Sequence, residues 1–213
     1  PTSGLSTTES GAGTATFTIV LDTEPTADVA IGLSSSDVGE GTVSPASVTF
    51  TSLNWSAGQT VTVTGVDDDI DDGDIVYTIV TAAANSGDTT YDLMNAADVS
   101  VTNVDDDTAG ITVSPTTGLT TTEAGAGTDT FTVVLDSEPE ADVVIGISSL
   151  DTGEGTVAPA SLTFTSANWD TAQTVTVTGI DDAIDDGDVE YTVQTDAAAS
   201  GDTNYDGTNP SDV

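Results

Sequence analysis

The run Thr60-Val61-Thr62-Val63-Thr64-Gly65-Val66-Asp67-Asp68-Asp69-Ile70-Asp71-Asp72-Gly73-Asp74 holds two patterns back to back. Val61 and Val63 alternate with Thr60, Thr62 and Thr64, the period of a strand with one buried face. The acid run with its glycine then breaks the strand and has to be a turn. The same pair of patterns returns 114 residues later, where Thr174 to Thr178 lead into Asp181, Asp182, Asp185, Asp186 and Asp188.

That offset holds along the whole chain. Residues 1 to 99 reappear as 115 to 213, with Gly4-Leu5 matching Gly118-Leu119 and Trp55 matching Trp169. A fixed offset without insertions means tandem copies of one folding unit, each long enough to bury its own core. The joining segment Ser100 to Ser114 occurs once, between the copies, which leads us to expect a piece of a longer array. The expected domains are 1–107, lacking its first strand, and 108–213, lacking its last.

Composition narrows the function. The chain has no Lys, Arg, His or Cys, and its 37 acidic residues give a formal net charge of −37. No ion pair between side chains can form, so carboxylate repulsion has to be relieved by water, distance or bound cations. With no basic residue to meet phosphate, nucleic acid and direct binding to an anionic membrane surface are not expected. Nucleophilic or general-base chemistry near neutral pH lacks a His or Cys. The carboxylates fall in turn clusters with no cleft motif around them, so the chain is not read as an enzyme.

Thr, Val and Ile dominate, and Gly, Asn, Asp and Pro punctuate the chain about every ten residues. Strands are predicted near 111–114 (A, preserved only in the second unit) and, in the first unit, 15–22 (B), 28–35 (C), 47–52 (D), 59–66 (E), 75–82 (F) and 98–104 (G). Comparing copies settles one ambiguity. Val76 and Val80 become Glu190 and Gln194, whereas Ile75, Tyr77 and Ile79 become Val189, Tyr191 and Val193, so the second set faces inward. The predicted fold is all-β: two tandem immunoglobulin-like antiparallel β-sandwiches of about seven strands each.

If successive strands run antiparallel, the A–B, C–D and E–F turns and the end of G share one pole. There converge Glu9, Asp37, Glu40, Asp67, Asp68, Asp69, Asp71, Asp72, Asp105, Asp106 and Asp107. Each close pair would repel by roughly 3 kcal/mol at an effective dielectric near 20. Calcium relieves such crowding because it takes six to eight oxygen ligands in irregular geometry, whereas zinc would want the absent His or Cys. Ca2+ is therefore the expected cofactor.

The segment Thr60 to Asp74, followed by Val99-Ser100-Val101-Thr102-Asn103-Val104-Asp105-Asp106-Asp107-Thr108-Ala109-Gly110, resembles the Calx-β domain. That family is known from sodium–calcium exchangers and from tandem repeats in large bacterial surface proteins. The resemblance covers both copies. It implies metal ligands at Glu9, Asp37, Asp67, Asp68, Asp72, Asp105, Asp106 and Asp107, and in the second unit at Glu123, Asp151, Asp181, Asp182 and Asp186. The second unit's closing acid triplet would fall beyond Val213, so its site is expected to be incomplete or weak. Where the family's E–F run usually carries glutamates, this chain reads Asp-Asp-Gly-Asp, with shorter reach.

Three further features each have two readings. Asp202-Thr203-Asn204-Tyr205-Asp206-Gly207 opens like an EF-hand loop but lacks the closing Glu, and it reads equally as an Asx-rich turn. Trp55 and Trp169 either stack on a sugar or close the end of a sandwich. The Thr rows on strand E are either a flat ligand-binding face or ordinary exposed strand residues.

Together these features lead to the expectation of calcium-stabilised spacer or stalk repeats of an extracellular surface adhesin, filament or matrix protein. Partners would be neighbouring repeats of the same array, with self-association. The alternatives are a glycan- or surface-binding module, or a filament subunit completed by strand exchange.

Overall fold

The structure is a computed structural model describing residues 2–184 and 187–213. Asp186, one of the expected ligands, lies outside the described residues. The chain divides into two compact units, Pro1–Asp68 with Asp72–Asp106 and Asp69–Asp71 with Asp107–Val213. Among the described residues every regular element is a strand.

The first unit contains β1 (Leu5–Thr8), β2 (Thr14–Ile19), β3 (Val29–Ser35), β4 (Gly41–Ser44), β5 (Ser47–Phe50), β6 (Gln59–Gly65), β7 (Ile75–Thr81), β8 (Asn85–Ser86) and β9 (Val99–Val104). One sheet runs β1-β9-β7-β3-β5, with β8 on β3, and the other runs β2-β6-β4. The alternation read from the sequence decides which side of each strand is buried. Phe17, Val61 and Val63 from the small sheet meet Ile31, Leu33, Val48, Phe50, Tyr77, Ile79, Val99 and Val101 from the large one in a single core. Two sheets packed through their apolar faces around one core are the layers of a β-sandwich. Tyr77 and Ile79 point inward as the comparison of copies predicts, while Val76 and Val80 are exposed.

Strands C, E, F and G lie within a residue or so of their predicted ranges; B stops at Ile19. Beyond it the Leu21 amide donates to the Trp55 carbonyl at 3.2 Å. Two elements depart from the prediction. The expected D strand is preceded by a separate strand in the other sheet: β4 pairs with β6 through Val43 opposite Val63, and β5 pairs with β3 through Val48 opposite Ile31. The chain changes sheets at Pro45, whose nitrogen has no proton to give to either ladder. The first unit also has a strand that the sequence reading did not predict, β1, which pairs in parallel with β9 through Leu5 opposite Val101. Its sheets are therefore not antiparallel throughout. The short, polar Leu5-Ser6-Thr7-Thr8 carries too little alternation to be read as a strand before its partner is known.

The second unit contains β10 (Ile111–Ser114), β11 (Thr128–Leu135), β12 (Val143–Ser149), β13 (Gly155–Ala158), β14 (Ser161–Phe164), β15 (Gln173–Gly179), β16 (Val193–Thr195) and β17 (Ala199–Ser200). Its sheets run β10-β11-β15-β13 and β14-β12-β16, with β17 on β12. Phe131, Val133, Ile145, Phe164, Val175, Val177 and Tyr205 are among its core residues. β10 is the predicted A strand.

The units differ most around β9. In the first unit β9 supplies the rungs that order both β1 and β7. At the repeat offset only Val99 has a counterpart, Val213. Leu119–Thr122 is not a strand, and β16 covers only the last three residues of the β7 equivalent.

Away from the acidic pole, each unit fastens its F–G excursion by a tyrosine. The Tyr91 hydroxyl donates to the Thr23 carbonyl at 2.7 Å and accepts from the Thr23 amide at 3.1 Å. Tyr205 does the same with Ser137, at 2.7 and 3.1 Å.

Candidate metal centre

The end of β1 places Glu9. Its amide donates to the Val104 carbonyl at 3.1 Å, one rung beyond the β1–β9 ladder, and the chain then turns so that the Gly13 amide reaches the Thr8 carbonyl at 3.0 Å. Gly65, the last residue of β6, makes room for this arrangement. A Cβ there would collide with the Thr8 carbonyl oxygen and the Asn103 side chain.

Asn103 is the inward residue at the pole end of β9 and is fully buried. Its amide nitrogen donates to Glu9 Oε1 at 3.0 Å, to the Val66 carbonyl at 3.0 Å and, more weakly, to Glu40 Oε2 at 3.4 Å. Its Oδ1 accepts from Thr7 Oγ1 at 2.8 Å. With that proton committed, the Tyr77 hydroxyl, 3.2 Å away, donates to Thr7. A neutral amide thus supplies the donor that the acidic pole otherwise lacks.

The balance is incomplete. Glu9 is 1% exposed, and its Oε2 is buried with no hydrogen-bond partner. Burial, reinforced by Asp105, Asp68, Asp72 and Glu40, pushes the Glu9 carboxyl up to about 7. Glu40 is also raised, chiefly by burial; the Asn103 hydrogen bond opposes the rise, and Asp72, Asp37 and Asp68 add to it. Carboxyls held this way favour a proton or a cation.

Two sets of three carboxylates gather here: Glu9, Asp106 and Asp107, and Glu40, Asp68 and Asp72. Within each set one oxygen per residue lies within 4.8 Å of the others. A calcium ion 2.3–2.6 Å from its ligands spaces them by at most about 5 Å, so both sets fit one. The donors are all oxygen, which suits a hard cation.

Of the remaining expected ligands in the first unit, Asp105 ties the E–F loop to the end of β9. Its Oδ2 accepts from the Gly73 amide at 2.7 Å, and its own amide donates to Asp74 Oδ1 at 3.3 Å. Asp37 closes a local turn, with Oδ1 accepting from the Gly39 amide at 3.0 Å. Asp67 is exposed, and neither Asp37 nor Asp67 is part of the two sets. Glu40 takes the place in the C–D turn where the resemblance implied Asp37. The repeated Gly-Glu-Gly of 39–41 and 153–155 was the available signal for it. For Asn103 the signal was an amide in an inward position of an otherwise valine-lined strand.

In the second unit Glu123 and Glu154 are half-buried, and Asp181 and Asp182 are exposed. Asp151 repeats the turn of Asp37, accepting from the Gly153 amide at 3.0 Å. Asp182 Oδ1 accepts from the Ile184 amide at 2.7 Å. Among the described residues Glu123, Asp151, Asp181 and Asp182 form no set of the kind found in the first unit, and Asn103 has no counterpart in the sequence.

The EF-hand-like segments are turns. Asp88 accepts from the Thr26 amide at 2.8 Å and the Thr90 amide at 2.9 Å, and these bonds hold its carboxyl down to about 2. Asp202 likewise accepts from Glu140 and Asn204, at 2.9 and 2.8 Å. Trp55 and Trp169 are half-buried and pack against the two cores.

No family model matches the chain, and no curated protein aligns with it. Among solved structures it is similar to CBD12 from CALX1.2, at 15% identity and a TM-score of 0.42 over 94% of this chain and 81% of that one. It is also similar to the calcium binding domain CBD12 of CALX1.1, at 16% identity and a TM-score of 0.42 over 91% and 77%. A third likeness is to the E. coli chaperone DraB, at 11% identity and a TM-score of 0.35 over 98% and 92%.

Proposed function

We propose that the chain is a calcium-stabilised structural repeat, a spacer or stalk element of an extracellular surface adhesin, filament or matrix protein. The observation that carries this reading is the buried, partnerless Oε2 of Glu9 at the centre of a pole built from carboxylates. Leaving such an oxygen dry costs free energy that a bound cation would return. The motif-level resemblance to Calx-β domains agrees with it.

Glu9, Asp106 and Asp107 would hold one ion and Glu40, Asp68 and Asp72 another, with Asn103 orienting Glu9 and Glu40 between them. Calcium there would draw the ends of β1, β6 and β9 and the E–F loop into one rigid tip. Neighbouring repeats of the same array are the proposed partners. The packing of both tryptophans against the cores favours a spacer over a sugar-binding module.

Thermal melting in excess EDTA and in millimolar calcium tests the proposal. An ion at one hundred times its dissociation constant adds about 2.7 kcal/mol, so the first unit should melt several degrees higher with calcium. Superimposable curves would overturn the reading.

A further inference from the structure

Asn103 carries two protons on its side-chain nitrogen and has three acceptors around it. One proton goes to the Val66 carbonyl and the other to Glu9 Oε1, both at 3.0 Å, so Glu40 Oε2, at 3.4 Å, keeps only a weak share. The two carboxylate sets of the pole therefore meet the same amide unequally.

The amide is locked in this orientation. Thr7 Oγ1 donates to its Oδ1 at 2.8 Å, the Val66 carbonyl holds its nitrogen, and the residue is fully buried. Gly65 closes in from another side, where a Cβ would collide with Oδ1. Glu9 is fixed in turn. Its backbone amide is tied to the Val104 carbonyl at 3.1 Å, its side chain is buried and its Oε1 is committed, which leaves Oε2 as the oxygen it offers. Turning that carboxylate to present both oxygens would break its bond to Asn103. The bond from Asn103 to Glu40 is long and shared, so Glu40 gives up little by turning both oxygens to an ion.

That difference bears on which cation each set takes. Calcium draws six to eight oxygens in irregular geometry and readily takes a carboxylate by both of its oxygens, whereas magnesium demands a near-octahedral shell and keeps several of its waters. Beside Asp106 and Asp107, Glu9 offers one oxygen from a rigid frame, and Asp106 is exposed, so water can complete the shell. Beside Asp68 and Asp72, Glu40 offers a carboxylate able to chelate.

We infer that Asn103 is a specificity-determining positioning residue: by holding Glu9 to one oxygen it lets the Glu9 set take magnesium as well as calcium, whereas the Glu40 set takes calcium alone. The inference rests on the calcium reading of the pole. Either ion then serves at Glu9, Asp106 and Asp107, and only the Glu40 set answers to calcium specifically.

The test adds magnesium chloride or calcium chloride, each alone, to the metal-stripped full chain and follows the backbone amides by NMR. Magnesium is expected to shift Glu9, Asp106 and Asp107 while leaving Glu40, Asp68 and Asp72 in place, and calcium to shift both sets. In Asn103→Leu the ratio of the magnesium to the calcium dissociation constant at the Glu9 set should rise by about tenfold or more. A change in that ratio is not produced by loss of stability alone. Magnesium acting on both sets, on neither, or on the Glu40 set alone would overturn the inference while the calcium reading stands, as would an unchanged ratio in the variant. If Asn103→Leu does not fold, the titration of the parent chain decides by itself. Calcium shifting neither set would instead overturn the calcium reading, and the inference with it.

Discussion

Asn103 Nδ2 stands 3.0 Å from Glu9 Oε1, while the other oxygen of that carboxylate is buried with nothing to accept from. One donor is shared among two glutamates and a carbonyl, so the pole is held together yet left short of positive charge.

Replacing Glu9 by Gln removes a buried charge and one ligand together. In EDTA the Glu9→Gln chain should be as stable as the parent or more stable, by about 1–3 kcal/mol. With millimolar calcium the gain in melting temperature should shrink. Calorimetry in the two buffers checks both halves, and an undiminished calcium increment would remove Glu9 from the ligand set.

The Glu9 carboxyl is pushed up to about 7 in the folded chain, against 4.5 for an unperturbed glutamate. A raised carboxyl pKa stabilises the fold fully below pH 4.5, and that contribution is lost as pH rises through about 7. Without calcium, the first unit should therefore melt lower at pH 8 than at pH 5.5, with a smaller drop in Glu9→Gln. Calcium favours the ionised form and should flatten the dependence. Melting curves across this range, with and without EDTA, provide the check.

Asn103→Leu keeps the bulk but removes the donor to Glu9, Glu40 and Val66 and the acceptor for Thr7. Leaving those buried groups unpaired should cost about 1–3 kcal/mol or more, all of it in the first unit. Denaturant unfolding followed through Trp55 and through Trp169, each read in a single-tryptophan background, separates the units. A loss of equal size in both would contradict the assignment.

Tyr205→Phe strips the hydroxyl that joins Ser137 and leaves the buried Ser137 amide without its acceptor. A loss of about 1–3 kcal/mol is expected in the second unit. Because Asp202 is already bonded to two backbone amides, Asp202→Ala should also destabilise this unit without changing calcium uptake. Isothermal titration of the variant distinguishes this from an EF-hand-like site.

Much of the first unit was legible residue by residue. Alternation in Thr60–Thr64 and the paired substitutions at 76 and 80 gave the strands and their buried sides, because a pleated strand turns every second residue inward whatever its neighbours are. The gathering of Glu9, Asp68, Asp72 and Asp106 followed from strand direction alone. Glu40 stood among the converging acids, but its role in place of Asp37, and that of Asn103, were harder to single out, because an acid in a turn and an amide on a strand look ordinary until the chain is folded around them. β1 and β4 were missed for a related reason, since four residues with a single large apolar side chain form a strand only when a partner strand lies alongside.

The amino-acid sequence by itself determined the repeat, the strand faces, the absence of any cationic partner for the acids, and the end of the unit where those acids collect. These are local periodicity and charge, properties that each segment carries alone. Only the tertiary structure decided which carboxylates approach within reach of one ion, which oxygen is left dry, and that β9 pairs with β1 on one side and β7 on the other. Those outcomes depend on residues up to about a hundred positions apart meeting in a common low-dielectric interior, where burial and shared donors, rather than spacing along the chain, set the energies.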